Sequence, residues 1–186
     1  MRKLFLAIFM ASSVLCWADD VRVSSPNGSL VVTVSDADGR LSYTATLDGK
    51  QMLNPSALGL NTSLGDLTNE LSIVNHQLSI VSNAYQMRGT KASKVNYQAN
   101  ALTIDLQNKD GVKFSILFQV SDNDIAFRYQ MPRQTIRHRE YKRVRILSEV
   151  SGFNFPDGTT TFISPQIGPE TGWEQTKPSY EEGYSN

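Results

Sequence analysis

The sequence predicts an all-β, antiparallel sandwich, on three observations. The first is strict alternation: Val112, Phe114, Ile116, Phe118 and Val120 are interleaved with Lys113, Ser115, Leu117 and Gln119, and only Leu117 breaks the period of two. The second is that the pattern recurs next door. Leu102, Ile104 and Leu106 alternate with Thr103, Asp105 and Gln107, and Ile125, Phe127, Tyr129 and Met131 alternate with Ala126, Arg128 and Gln130. The third is the chemistry of the joints. Asn108-Lys109-Asp110-Gly111 and Ser121-Asp122-Asn123-Asp124 are built of residues that bond their own backbone or accept positive φ. Three consecutive strands, each apolar on one face, form a meander that needs a second layer to cover it.

The elements before the meander follow the same logic. Arg2 and Lys3 precede an apolar run from Leu4 to Leu15, and small residues close the segment at Ala18. A basic start, a short apolar centre and a small-residue end predict a secretory signal peptide over residues 1–18, and with it export to the periplasm or outside the cell. The run is shorter than the ~20 residues a membrane-spanning helix needs, so no membrane span is expected. Cleavage after Ala18 leaves 168 residues, enough for one domain with its own core, and removes Cys16, the sole cysteine.

Val21 to Ser25 reads as a first strand that turns at Pro26-Asn27-Gly28. Leu30, Val32 and Val34 form the apolar face of the next. Asp36-Ala37-Asp38-Gly39 turns into Leu41, Tyr43, Ala45 and Leu47, and Asp48-Gly49 turns into a short strand around Gln51 to Leu53. Periodicity weakens from Asn54 to Leu78, where Leu58, Leu60 and Leu64 are expected in the core and Asp66 to Glu70 in a loop. Ser79 to Lys91 and Lys94 to Tyr97 are strand candidates leading into the meander. Further strands are expected around Arg143 to Leu147 and Thr159 to Ile163. The sandwich core is therefore assigned to residues 19–163. Residues 164–186, with Pro165, Pro169 and Pro178 and no strand rhythm, form an irregular aromatic and acidic segment that leads toward a further domain.

Composition excludes several functions. Eighteen basic residues balance 18 acidic ones, and loss of Arg2 and Lys3 leaves a net charge of −2, against a nucleic-acid partner. The basic stretch Arg133, Arg137, Arg139, Lys142, Arg143 and Arg145 reads as a solvated face or the neighbour of an acidic surface rather than an anion site. Once Cys16 is gone no cysteine nucleophile remains, and nothing in the sequence marks either of the two histidines, His76 and His138, as the general base of a triad, so both are expected at the surface. Asp36 to Gly39 opens like a calcium loop, but Leu47 stands where an EF-hand needs an acidic residue, so it is a turn. Asn27-Gly28-Ser29 and Asn61-Thr62-Ser63 are sequons in form alone.

Carboxylates are the remaining chemistry. Asp122 and Asp124 are explained by their turn. Glu170, Glu174, Glu181 and Glu182 lie among Trp173, Tyr180 and Tyr184, where carboxylates can hold a hard cation and aromatic faces can stack on sugar. The same residues also fit plain exposed solubility.

Several segments together resemble the N-terminal domain of glycoside hydrolase family 97. They are Ser24-Ser25-Pro26-Asn27-Gly28-Ser29-Leu30, the turns Asp38-Gly39 and Asp48-Gly49, and Pro55-Ser56-Ala57-Leu58-Gly59-Leu60. Asn123-Asp124-Ile125-Ala126-Phe127-Arg128-Tyr129 with Pro132, Ser148-Glu149, Phe153 to Pro156, and Pro178-Ser179-Tyr180-Glu181-Glu182-Gly183-Tyr184 complete the set.

The resemblance implies a galactose-mutarotase-like β-super-sandwich, followed in the family by a catalytic (β/α)₈ barrel in cis. It implies an exported, calcium-dependent exo-α-glucosidase or α-galactosidase whose acid, base and nucleophile lie in the barrel, so no catalytic residue is assigned here. By motif position Glu181 is implied as a Ca²⁺ ligand, with Glu182 as the alternative, and Trp173, Tyr180 and Tyr184 line or support the carbohydrate site. Ending before the barrel, the chain by itself is expected to be inactive. A freestanding carbohydrate-binding sandwich of the cell envelope is the competing expectation.

Overall fold

The computed structural model describes residues 20–89, 93–131 and 144–161. It has an all-β architecture of antiparallel strands, as the alternation requires. The chain divides into two compact units, Met1–Phe155 and Pro156–Asn186. The described part of the second is a turn in which the Thr159 N–H and hydroxyl both donate to the Pro156 carbonyl. The predicted leader, residues 1–18, and the strand residues Phe162 and Ile163 lie outside the described residues, and Thr159 to Thr161 are not strand.

The first sheet is a meander of β1 (Val21–Ser24), β2 (Leu30–Ser35), β3 (Ser42–Leu47) and β4 (Lys50–Ala57). Its tight turns sit where the sequence demands them. At Asp48 and Gly49 φ is 49° and 77°, and Gly49 accommodates the second value without a side-chain penalty. The Asp36–Gly39 loop is a single 3₁₀ turn, and the Asp36 carboxylate accepts the backbone N–H of Ile73 at 2.8 Å.

A small sheet comes next in the chain, with β5 (Leu60–Thr62) paired to β6 (Gly65–Leu67) on one side and β11 (Ile146–Glu149) on the other. Leu67, in the stretch expected to be loop, is fully buried as the last residue of β6, whereas Leu64, expected in the core, is only half-buried. The strand expected at Arg143 to Leu147 is β11, displaced toward Glu149.

The second large sheet is β7 (Leu71–Gln86), β8 (Lys94–Asn108), β9 (Lys113–Ser121) and β10 (Ile125–Gln130), in that spatial order. The three-strand meander read from the sequence is β8, β9 and β10. Leu102, Ile104, Leu106, Phe114, Ile116, Phe118 and Val120 turn inward and meet Val21, Val23, Leu30, Val32, Val34, Leu41 and Tyr43 from the first sheet. Burial of each such side chain contributes about 1.5–3 kcal/mol, so this interface is the main stabilising element. β1 packs over β8 and β2 over β9. Because β1 is the edge of its sheet, no strand of the first sheet lies beyond it to cover β7.

Candidate functional site

The structure ties the end of β10 to the small sheet through one tyrosine. Tyr129 alternates inward with Phe127, and its hydroxyl accepts the Gly59 N–H at 2.8 Å and bonds the Ser151 hydroxyl at 2.5 Å. Gly59 is required at this spot. A Cβ there would lie 2.8 Å from the Leu67 carbonyl oxygen and 3.0 Å from the Thr68 Cα, both main-chain atoms that cannot step aside. Beside the tyrosine, Tyr43, Phe118, Phe127 and Phe153 form a chain of tilted ring contacts with centroids 5.5–6.5 Å apart. The Tyr43 hydroxyl donates to the Gly152 carbonyl at 3.2 Å. Burial pushes the Tyr129 hydroxyl above the usual phenol range. Burial, and secondarily Tyr129 itself, do the same to Tyr43. Both rings are therefore neutral hydrogen-bonding struts rather than proton carriers near neutral pH.

From this joint the chain runs out along the free side of β4. Val150 N–H bonds the Gly59 carbonyl, Gly152 N–H the Ala57 carbonyl, and Asn54 N–H the Asn154 carbonyl. Ile146, Leu147, Val150, Phe153 and Phe155 along it are all exposed, Phe153 to 61%. Five large apolar side chains presented within ten residues form a surface suited to contact with another protein domain.

Several of the described carboxylates are engaged within the fold. Asp66 accepts from the Thr68 N–H and hydroxyl, which hold it below the ordinary carboxylate range, and Asp122 accepts the Asn27 N–H across 95 residues. Asp105 binds Ser115 and Asn75 across the strands. His76 is exposed on β7, matching a surface role. Among the described residues no three His, Cys, Asp or Glu side chains stand together to hold a metal ion. Trp173, Tyr180, Glu181, Glu182, Tyr184 and His138 lie outside the described residues.

The joint itself was missed by sequence reasoning. Gly59 and Tyr129 are 70 positions apart, and no local pattern links a strand-end tyrosine to a distant N–H. Its only trace was that both residues fall within the motifs that carry the family resemblance.

A model of the family described as glycosyl-hydrolase 97 N-terminal matches residues 23–186. A solved structure described as a beta-arabinopyranosidase superposes with a TM-score of 0.78 at 41% identity, covering 90% of this chain and 26% of its own. A retaining alpha-galactosidase of Bacteroides thetaiotaomicron is 26% identical over 142 residues, 76% of this chain and 20% of that protein. A probable retaining alpha-galactosidase of Streptomyces bingchenggensis is 24% identical over 125 residues, 67% of this chain and 18% of that protein. The chain thus spans about a fifth of the length of the curated relatives it matches. Its strands, its turn glycines and the family match agree: the chain belongs to the glycosyl-hydrolase 97 family and corresponds to sequence of that family's N-terminal domain.

Proposed function

We infer that this chain is the N-terminal sandwich of an exported, calcium-dependent exo-glycosidase, built to scaffold a catalytic (β/α)₈ barrel and to contribute a carboxylate to its metal site. The observation that carries the scaffolding role is the exposed apolar run Ile146–Phe155, anchored at its base by Tyr129 and Gly59. An unburied strip of this size on a rigid edge is a docking face for a neighbouring domain.

Glu181, with Glu182 as the alternative, is the proposed metal ligand. A Ca²⁺ takes about six to eight oxygens, so one or two glutamates supply only part of the shell, and the barrel supplies the rest. Bound there, the ion would supply positive charge at the substrate's oxygens. Trp173, Tyr180 and Tyr184 would present aromatic faces to the sugar. The names of the relatives favour an α-galactoside or a β-arabinopyranoside over an α-glucoside as substrate.

Calcium titration of a version that continues into a barrel tests this. Glu181→Gln should weaken Ca²⁺ binding at least tenfold and lower turnover of chromogenic α-galactoside and β-arabinopyranoside with it. An unchanged calcium titration removes Glu181 from the site. The chain ending at Asn186 should hydrolyse neither substrate, and turnover by it alone would overturn the division of labour between sandwich and barrel.

A further inference from the structure

Asn27-Gly28 is the sole Asn-Gly pair in the chain. This dipeptide has a chemistry of its own. The main-chain nitrogen that follows an asparagine can attack the side-chain amide carbon, and a glycine there, lacking a Cβ, hinders the approach least. What surrounds the pair therefore decides whether the chain keeps its covalent form with time.

The pair sits in the turn between β1 and β2, and the turn restrains both reacting groups. The Gly28 N–H, whose nitrogen is the nucleophile, donates to the Ser25 carbonyl at 2.9 Å and so keeps its proton. The Asn27 Oδ1 accepts from the Ser25 hydroxyl at 2.7 Å, the Ser29 hydroxyl at 2.8 Å and the Ser29 N–H at 3.0 Å. The turn is also tied down from the other large sheet. Asp122, in the turn between β9 and β10, accepts the main-chain N–H of Asn27 at 2.9 Å. Side-chain cover adds nothing at the nucleophile. Gly28 has a φ of 79°, and among the described residues no atom lies within 4 Å of the place a Cβ would take. The restraint consists of hydrogen bonds, and hydrogen bonds in an exposed turn open locally.

We propose that Asn27 is a deamidation site whose rate is set by opening of this turn, with Asp122 as the clamp that holds it shut. Once the turn opens, the Gly28 N–H gives its proton to solvent and the nitrogen bonds to the Asn27 Cγ. The Cγ–Nδ2 bond breaks, and Nδ2 takes up a proton and leaves as ammonia. Water then adds to one of the two carbonyls of the resulting succinimide and opens the ring, with no oxidant or reductant involved. Addition on one side gives aspartate, and on the other isoaspartate, whose main chain runs through the former side-chain carbon. The two products behave differently. Aspartate keeps Oδ1 and its three donors, and its charge strengthens those bonds. Isoaspartate lengthens the main chain by a methylene, which spoils the four-residue closure between the Ser25 carbonyl and the Gly28 N–H. The tie to Asp122 loosens with it, and the modification releases the two large sheets from each other at this end.

Peptide mapping by mass spectrometry tests the proposal. Trypsin releases Asn27 within Val23–Arg40, which holds no other asparagine and no glutamine, so a mass gain from exchange of NH₂ for OH in that peptide reports this site alone. At mildly alkaline pH the folded chain should convert about tenfold more slowly than the same chain in denaturant, because only the open fraction reacts. Asp122→Ala should speed conversion of the folded chain by about threefold or more and leave the rate in denaturant unchanged. Asp122→Asn keeps an acceptor oxygen and should stay close to wild type, which separates the clamp from the charge of the carboxylate. Asp122 is exposed, so the variants should keep their circular dichroism, and Asp122→Ser repeats the test should the alanine variant not. Equal rates in the folded and unfolded chain overturn the gating, and an unchanged rate in folded Asp122→Ala overturns the clamp. A first mass gain at a different asparagine overturns the site.

Discussion

β10 and β7 close opposite ends of one sheet, and they are finished in opposite ways. β10 is six residues long, and Phe127 and Tyr129 on its inner side are locked by aromatic contacts and by the bonds to Gly59 and Ser151. β7 is 16 residues long, and on the same inner side Leu78 and Ile80 face solvent. The strands share a sheet and a twist, so intrinsic β propensity does not separate them. The presence of an opposing layer does. Where β2 and β3 lie opposite, an alternating strand becomes core; one strand beyond β1, the same chemistry becomes surface.

The sharpest way to break that comparison is to truncate one large side chain on each side of the boundary. Phe118, fully buried and in ring contact with Tyr43 and Phe127, should cost about 3–5 kcal/mol when changed to alanine, a large fraction of a typical domain's stability. Denaturant unfolding followed by circular dichroism measures it. A loss under 1 kcal/mol would mean that the two sheets do not pack as described. Gly59→Ala comes next. It leaves every core side chain in place, yet drives a methyl group into the Leu67 carbonyl and displaces the N–H that Tyr129 receives. A loss of about 1–3 kcal/mol is expected in the same measurement. If Gly59→Ala is neutral, the joint between β10 and the small sheet is softer than its distances suggest.

This boundary also explains which parts of the fold could be read from the sequence. β8, β9 and β10 were legible because burial on one face and solvent on the other write a period of two into the residues. For β7 the sequence predicts a start at Ser79, whereas the strand begins eight residues earlier, at Leu71. With both faces of most of its length exposed, Asn75, Gln77 and Ser79 are not set off from buried partners, and selection leaves no alternation to read. Leu67 was missed because a three-residue strand is too short to show a period, and Asp66 and Asn69 beside it look like loop. The proposed ligand residues rest on motifs alone. Glu181, Glu182 and the aromatic residues around them carry no periodic signal, since a ligand's chemistry depends on groups brought together from distant positions.

Tyr129→Phe sharpens the comparison further by removing one oxygen from the β10 side. The Gly59 N–H then lacks its acceptor, and a loss of about 1–2 kcal/mol is expected near neutral pH. The pH dependence has a definite sign. Tyr129 and Tyr43 have folded values raised above the ordinary phenol value of about 10, so the folded state holds those protons more tightly than the unfolded chain. Their contribution is complete below about pH 10 and is lost as the pH rises through the raised folded values. Unfolding monitored between neutral pH and strong alkali should therefore show stability falling only above about pH 10. The fall should be shallower in Tyr129→Phe, which has one fewer phenol to ionise. An equal slope in both proteins would mean that Tyr129 is open to water.

The smallest change belongs to β7. Ile80→Thr keeps the branched shape that strands favour and replaces an ethyl group already in solvent with a hydroxyl, so the unfolding free energy should move by no more than about 0.5 kcal/mol. Near-neutrality here, against several kcal/mol at Phe118, is what a sheet covered on only one side requires. A loss well above about 1 kcal/mol would show that Ile80 is packed within its own chain, and the exposed face of β7 would then be part of the core after all.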